Sequence, residues 1–164
     1  MSITLGAHSY HGQVTNSWDV SLHVGKYTSI ASGLLLIAND HPMGMNVSTY
    51  PFFEQFHLDY TPCTQGGIIS IGHDVWIGIL VSIKEGVTIG DGAIVGACSV
   101  VARNIDPYEI VVGNPIREIR HRFPFQIIHA LLKMKWWDWP DDVVRERVPE
   151  MKDVFKFVEK YGGR

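Results

Sequence analysis

The sequence lacks the features that assign a chain to several large classes of protein. Its two cysteines, Cys63 and Cys98, are too few and too far apart for a disulfide framework or a zinc cluster. No apolar stretch approaches about 18 residues and no basic leader precedes an apolar run, so we expect a cytoplasmic location without secretion or membrane spanning. The formal charge of -3, with both signs interspersed, gives no footprint for nucleic acid.

A six-residue repeat runs through the middle of the chain. Each repeat has one bulky aliphatic residue and, four positions later, one small or slim residue. The aliphatic positions are Ile71, Ile77, Ile83, Ile89, Val95 and Val101, and the second positions are Val75, Val81, Val87, Ala93 and Ser99. Two inward positions in six residues predict short strands wound into a solenoid, since a helix would show an i, i+3, i+4, i+7 stripe. The alternative, an antiparallel β-sandwich, does not account for the strict spacing.

Glycine follows four of these aliphatic residues, at Gly72, Gly78, Gly90 and Gly96. We interpret these glycines as corner residues, because glycine tolerates the positive φ that a tight corner demands. The same pattern is less regular near the N-terminus, where one extra residue precedes Trp18. Its aliphatic positions are Leu5, His11, Trp18, Val24 and Ile30, and its second positions are Ser9, Thr15, Thr28 and Leu34.

Residues 37–67 interrupt the repeat with a long irregular segment that we call the excursion. Its aromatic residues are Tyr50, Phe52, Phe53, Phe56 and Tyr60, which make it too apolar for disorder. Long irregular segments in compact domains are usually functional, so we interpret the excursion as an ordered loop that builds a site. The alternative for most of these aromatics is packing on the solenoid flank or on a neighbouring subunit.

The repeat ends at Gly113, and residues 113–164 are predicted to form a helical tail. Helical spacing of apolar residues predicts one helix over 126–135, and Pro140 followed by Asp141 indicates a stop and a new start. A last short helix is predicted before Gly162. Three tryptophans between these helices, Trp136, Trp137 and Trp139, are expected to pack, so that the tail covers the open end or side of the solenoid. We therefore divide the chain into a β domain, 1–112, and this tail.

These features resemble a known family, the hexapeptide-repeat acyltransferases. More specific segments resemble its xenobiotic acetyltransferase branch, which modifies streptogramins and chloramphenicol. The segments are Asn39-Asp40-His41, the run from Val47 to Phe52, the run from Ile71 to Gly78, Gly113-Asn114-Pro115, and the run from Lys135 to Pro140. The resemblance implies a mainly β fold, a single-stranded left-handed parallel β-helix with the excursion and an α-helical tail.

The resemblance also implies O-acetyl transfer from acetyl-CoA to a hydroxyl, without a metal. His41 is the expected general base, because a neutral imidazole can remove the acceptor's proton near pH 7. A solenoid of about three and a half coils buries little core, so association is expected. The family is trimeric, which implies a homotrimer with sites at the subunit interfaces.

Candidate cofactor residues follow from the same likeness. The pantetheine arm is expected beside Gly78, Ala97 and Ser99, while Trp76 could stack on the cofactor or fill a subunit seam. Arg103 and Arg117 are candidates for the phosphates, with ion pairs to Glu118 or Asp106 as the alternative. The acceptor pocket is expected to include Tyr50, Phe53, His57 and Tyr60.

Several alternatives stay open. Asp40 directly before His41 and Pro42 after it depart from the branch pattern, so a sugar hydroxyl of a polysaccharide or lipopolysaccharide precursor is as reasonable an acceptor as an antibiotic. A covalent route through Cys98 lacks a recognisable adjacent base; we interpret this residue as a small solenoid side chain beside inward packing at Ala97. A zinc enzyme of the γ carbonic anhydrase type needs three converging histidines. A non-catalytic solenoid would not bind acetyl-CoA.

Overall fold

Short parallel strands make up most of the fold. The computed structural model describes residues 2–16, 19–38, 47–50, 52–58 and 67–163. The strands are β1 Ile3–Leu5, β2 Tyr10–His11, β3 Val14–Asn16, β4 Ser21–Val24, β5 Ser29–Ile30, β6 Leu34–Ile37, β7 Ile68–Ile71, β8 Trp76–Ile77, β9 Ser82–Lys84, β10 Thr88–Ile89, β11 Ile94–Val95, β12 Val100–Val101, β13 Glu109–Gly113 and β14 Ile116–His121.

Consecutive strands visit three sheets in rotation. The first sheet has the order β1-β4-β7-β10, the second β2-β5-β8-β11-β13-β14, and the third β3-β6-β9-β12. All pairs are parallel except β13 with β14, and strands pair with the strand one coil later. The predicted solenoid of parallel strands is therefore confirmed.

The core lies inside the three sheets and is built from the repeat positions. Every aliphatic and second position of the regular repeat from residue 71 to residue 101 is buried. In the earlier coils, Val24, Ile30, Thr28 and Leu34 are buried as well. The core prediction is confirmed for these residues, because alternate side chains of a strand point to opposite faces and only one face lies inside.

The first coil departs from the predicted register. Val14, rather than Thr15, pairs with the inward Leu34, and Asn16 pairs with Leu36. The connection from β2 to β3 is one residue shorter than its counterpart in the next coil, so the partner offset grows from 19 residues, Tyr10 to Ser29, to 20. The inward assignment of Thr15 is therefore wrong, and Trp18 lies outside the described residues.

The glycines that follow the aliphatic residues do not supply positive φ, contrary to the prediction. A Cβ at Gly78 would stand 2.6 Å from the backbone nitrogen of Ala97 in the next coil, so this glycine permits close stacking of coils. The left-handed conformation instead falls on corner residues such as Asp74 (φ 55°), Leu80 (φ 58°) and Cys98 (φ 58°).

The excursion leaves the solenoid after β6 and returns at β7. Regular coils place partners 18 residues apart, as in Ser82 and Val100, whereas Leu35 pairs with Ser82 across 47 residues. The coil that contains the excursion is thus 29 residues longer than a regular one. The excursion includes one short helix, α1 Phe52–Gln55.

The predicted helical tail is confirmed, with small shifts of its ends. Its elements are α2 Phe125–Met134, a 3₁₀ turn Trp136–Asp138, α3 Asp141–Arg147, a second 3₁₀ turn Val148–Lys152 and α4 Val154–Tyr161. Lys135 at φ 45° ends α2, and the Asp153 carboxylate caps α4 by accepting hydrogen bonds from two backbone N–H groups. Among the described residues, no helix combines the length and the apolar character needed to cross a bilayer.

A β-hairpin precedes these helices, and the sequence reasoning did not anticipate it. Strand β14 runs antiparallel to β13 after a tight turn at Gly113 (φ 104°). The second sheet therefore continues past residue 112, the predicted end of the β domain. The sequence signal for the hairpin is the Asn-Pro turn between two apolar runs, Val111-Val112 and the residues after Ile116.

The tail packs on one edge of the solenoid, which we call the first corner. This corner joins the first sheet to the second and includes residues 72–74 and 106–108. Trp137 stacks on His73 with ring centroids 5.2 Å apart. Asp74 accepts a hydrogen bond from Arg122 at 2.9 Å, and Lys26 reaches Asp138 at 3.0 Å. The tail thus covers a side of the solenoid, one of the two places that were predicted.

Candidate functional site

A second corner, which joins the second sheet to the third, carries the candidate cofactor residues. It consists of the turns 31–33, 78–80 and 96–98, stacked in successive coils. Ile79 and Leu80 are 50% and 58% exposed, and Ala97 and Cys98 are also exposed. Sequence reasoning missed Ile79 and Leu80. Their signal is two consecutive apolar residues at outward positions, where the preceding repeat has His73 and Asp74.

Backbone hydrogen bonds tie the coils together at this corner but leave one peptide unit free. The N–H of Leu80 donates to the Ser32 carbonyl at 3.1 Å, and the N–H of Cys98 donates to the Ile79 carbonyl at 2.9 Å. Neither the N–H nor the C=O of Ala97 has a partner among the described residues. An exposed donor and acceptor therefore stand side by side on an apolar surface, where an extended chain containing amides could pair with both.

Trp76 lies on β8, next to the second corner. Its side chain points out of the second sheet and is 57% exposed. It stands in register with Ser29 on one side and Ile94 on the other, and Tyr10 and Ile110 continue the column. This column and the second corner form one continuous surface of largely apolar side chains, which we call the outer strip.

Gly78 and Ser99 have structural roles. Gly78 permits the close stacking described above. The Ser99 side chain is fully buried, its hydroxyl donates to the Gly96 carbonyl at 2.7 Å, and it accepts from the Gly113 N–H at 3.0 Å. The Ser99 hydroxyl is thus occupied inside the coil, and only the backbone of this residue is left for a cofactor.

The two candidate arginines differ in their partners. Arg103 forms an ion pair of 2.7 Å with Glu109, whose side chain is only 3% exposed. The predicted alternative, an ion pair instead of a phosphate contact, thus occurs with Glu109 rather than with Glu118 or Asp106. Arg117 on β14 is exposed and has no hydrogen bond or ion pair within the described part of the chain.

The buried glutamate carries a perturbed pKa. Burial acts to raise the pKa of the Glu109 carboxyl, but hydrogen bonds from Arg103 and from the Asp106 N–H outweigh it and lower the pKa below the ordinary value. Glu109 therefore stays ionised at neutral pH and holds the turn before β13. Sequence reasoning missed this residue, because a lone glutamate gives no signal of burial.

The candidate acceptor residues lie in the excursion. Tyr50 is 50% exposed and packs edge-on against Phe52, with ring centroids 4.8 Å apart. His57 is exposed just after α1, at φ 53°. Phe53 lies within α1. The other calls in this segment, His41 and Tyr60, lie outside the described residues.

Cys98 does not lie in the packed interior that the sequence reasoning gave it. Cys98 and its neighbour Ala97 are both exposed at the second corner, because the chain turns outward between β11 and β12. The expected inward packing at Ala97 is therefore wrong. No basic side chain is in contact with Cys98 within the described residues.

Several histidines have structural partners. The His73 ring accepts a hydrogen bond from the Lys26 N–H at 2.9 Å, His8 contacts Asp141 at 3.0 Å, and His121 contacts Glu118 at 3.1 Å. His23 is exposed on β4. The described residues contain no group of three or more His, Cys, Asp or Glu side chains placed to hold a metal ion.

Comparison with known proteins places the chain in a family. The family model for the bacterial transferase hexapeptide (six repeats) matches residues 69–103. A probable macrolide acetyltransferase from Lysinibacillus sphaericus is 41% identical over 131 residues, which are 75% of this chain and 72% of that protein. A chloramphenicol acetyltransferase from Agrobacterium fabrum is 39% identical over 137 residues, 79% of this chain and 66% of that protein.

A solved structure supports the same assignment. The hexapeptide-repeat acetyltransferase of Vibrio cholerae, in complex with acetyl coenzyme A, aligns with a TM-score of 0.58 at 27% identity, over 75% of this chain and 62% of that one. The chain belongs to the hexapeptide-repeat acetyltransferase family, which confirms the resemblance noted from its motifs. It spans 64–66% of the length of the chloramphenicol acetyltransferases that it matches.

Proposed function

We propose that this protein is an acetyl-CoA-dependent O-acetyltransferase with a left-handed β-helix and that it acts on a hydroxyl of a small molecule. The family assignment supports the reaction class, and the acetyl-CoA complex of the Vibrio cholerae relative supports the donor. A cytoplasmic location is part of the proposal, because acetyl-CoA is an intracellular metabolite.

The observation that carries the proposal is the free peptide unit of Ala97 within the outer strip. The pantetheine arm of CoA is an extended chain with two amides separated by methylene groups. Its amides would pair with the N–H and C=O of Ala97, while its methylenes would lie on Ile79, Leu80 and Trp76. Burying this apolar surface stabilises the complex by roughly 25 cal/mol per Å².

The phosphate end of CoA requires cations, and Arg117 is our first candidate. It is exposed and unpaired within the described residues, so a phosphate need not displace a partner. Arg103 would have to leave the buried Glu109 carboxylate, which costs free energy. We therefore assign Arg103 a supporting role in holding the last coil.

The proposed chemistry is direct transfer with His41 as general base. His41 removes the proton of the acceptor hydroxyl as its oxygen attacks the thioester carbonyl. The tetrahedral intermediate then breaks its carbon–sulfur bond, releasing CoA, and the proton held by His41 neutralises the departing thiolate. Each cycle forms one ester bond and breaks one thioester bond, so no acyl-enzyme is required.

We further propose a homotrimer in which the outer strip faces a neighbouring subunit. Exposed apolar surface of this extent is typical of an interaction site. A neighbour across the strip would bring its excursion, with His41, Tyr50, Phe53, His57 and Tyr60, to the thioester end of the cofactor. A site shared between subunits explains why one chain leaves the donor surface open.

The acceptor is proposed from the relatives' names and from the excursion. Chloramphenicol and macrolide acetyltransferases are the named relatives, and aromatic residues such as Tyr50 suit a drug-sized apolar acceptor. Asp40 and Pro42, which flank His41 and depart from the branch pattern, keep a sugar hydroxyl as the second candidate.

An acetyl-CoA thiol-release assay tests the proposal across chloramphenicol, a streptogramin, a macrolide and sugar-nucleotide acceptors. We expect release that depends on one acceptor class and falls about a hundredfold to ten-thousandfold in His41→Ala. The matched control is His23→Ala, which removes an exposed histidine from β4. Undiminished turnover in His41→Ala would remove this residue from the mechanism, and absence of acetyl-CoA binding would favour a non-catalytic solenoid.

Intact mass distinguishes direct transfer from a covalent route. Incubation with acetyl-CoA alone should leave the chain unmodified. Accumulation of one acetyl group, lost in Cys98→Ser, would instead make Cys98 the nucleophile.

A further inference from the structure

A pocket of about 200 Å³ lies between the first corner and the helical tail, away from the outer strip. Side chains from the hairpin end, α2, the first 3₁₀ turn and α4 form its apolar wall. These are Phe123, Leu131, Trp136, Val154 and Phe157. The pocket is thus lined by the same packed layer that fixes the tail to the solenoid, and aromatic rings contribute most of its surface.

One polar group in this wall has no partner. The Tyr108 side chain lines the pocket and is 1% exposed, and its hydroxyl has no hydrogen-bond partner among the described residues. The ring is held in place by Gly92, where a Cβ would stand 2.7 Å from the ring atom Cζ. A buried hydroxyl without a partner is costly, so a group in the pocket that accepts its hydrogen bond would be stabilised.

The charged groups at the pocket already balance each other. Arg122 donates to the Asp74 carboxylate at 2.9 Å and to the Gly92 carbonyl at 2.8 Å. Its guanidinium also lies over the ring of Tyr108 at 5.3 Å and over that of Phe123 at 5.2 Å. A charged ligand would find no unpaired counter-ion here, so the pocket favours a neutral molecule.

We propose that this pocket binds a small neutral aromatic molecule with one hydrogen-bond acceptor, which receives the Tyr108 hydroxyl. The size is suitable, because an apolar cavity of about 150 Å³ is known to hold benzene, and this pocket has room for a ring with one polar substituent. The site is independent of the proposed transferase reaction, since it uses none of the residues assigned to that reaction.

The test uses two probes of nearly the same shape, acetophenone and α-methylstyrene, titrated into the full chain by calorimetry. Only acetophenone carries an acceptor, a carbonyl oxygen in place of a methylene group. We expect acetophenone to bind about two- to twelvefold more tightly, the range that one neutral hydrogen bond gives. In Tyr108→Phe the two affinities should become equal, through loss of acetophenone affinity alone.

A second variant locates the binding. Val154→Phe fills the pocket from α4 without touching Tyr108 and should abolish binding of both probes. Failure of both probes to bind the wild type would mean that the pocket holds only water and would overturn the proposal. Equal affinities of the two probes in the wild type would overturn the role of Tyr108, and unchanged binding in Val154→Phe would place the probes elsewhere.

Discussion

Buried polar side chains at the last coil show how single residues fix the corners of this fold. The Ser99 hydroxyl bridges the Gly96 carbonyl and the Gly113 N–H, and the Glu109 carboxylate joins Arg103 to the Asp106 N–H. Each bond ties a turn to the coil beside it. Because these groups are buried, removing one partner leaves the other unsatisfied, and the loss is larger than the bond itself contributes.

Ser99→Ala should lower the free energy of unfolding by about 1–3 kcal/mol, because the Gly113 N–H loses its acceptor. Ser82→Ala is the matched control, since Ser82 is partly exposed on β9 and should change stability by less than about 0.5 kcal/mol. Denaturant unfolding of the two variants measures the difference. Equal stability of both would show that the Ser99 hydroxyl bonds are not needed.

Glu109→Gln should destabilise the fold by roughly 1.5 kcal/mol at pH 7, because the hydrogen bonds to a charged carboxylate are lost. The half-exposed Arg103 is screened by solvent, so we take the lower end of the usual range. The folded-state pKa of Glu109 is lowered, so its contribution is present above the ordinary pKa of 4.5 and disappears as pH falls through the folded value.

Unfolding curves between pH 7 and acid pH test this dependence. The difference between wild type and Glu109→Gln should shrink as the pH falls, whereas Glu159→Gln on the exposed side of α4 should match wild type throughout. A difference that is independent of pH would assign the effect of Glu109 to packing rather than charge.

At the scale of elements, the repeat made the solenoid predictable, and contacts distant in sequence made the rest unpredictable. Positions such as Ile77 and Val81 could be placed inside because strand side chains alternate between two faces. The role of Gly78 could not, because it depends on Ala97 in the next coil. Among the site residues, the burial of Ser99 followed from the repeat, but the pairing of Arg103 with Glu109 depends on the path of the turn between them.

The tail is an element whose position depends on Trp137. This side chain is 2% exposed and stacks on His73 at the first corner. Trp137→Ala should cost about 3–5 kcal/mol, the range for removing a buried large aromatic, and should expose the tail to proteolysis. Phe155→Ala, which removes a side chain that is 59% exposed on α4, is the control and should leave both properties unchanged. A resistant tail in Trp137→Ala would mean that the other contacts suffice.

The whole molecule is a short solenoid whose tail covers one corner and leaves the outer strip open. The proposed trimer buries that strip, so Leu80→Glu, which places a charge at a residue that is 58% exposed, should weaken association. Phe155→Glu changes an equally exposed apolar residue on the tail and should remain trimeric. Light scattering at micromolar concentration measures both. A monomeric wild type would remove the trimer and with it the shared site, because the donor surface and the excursion of a neighbour would then never meet.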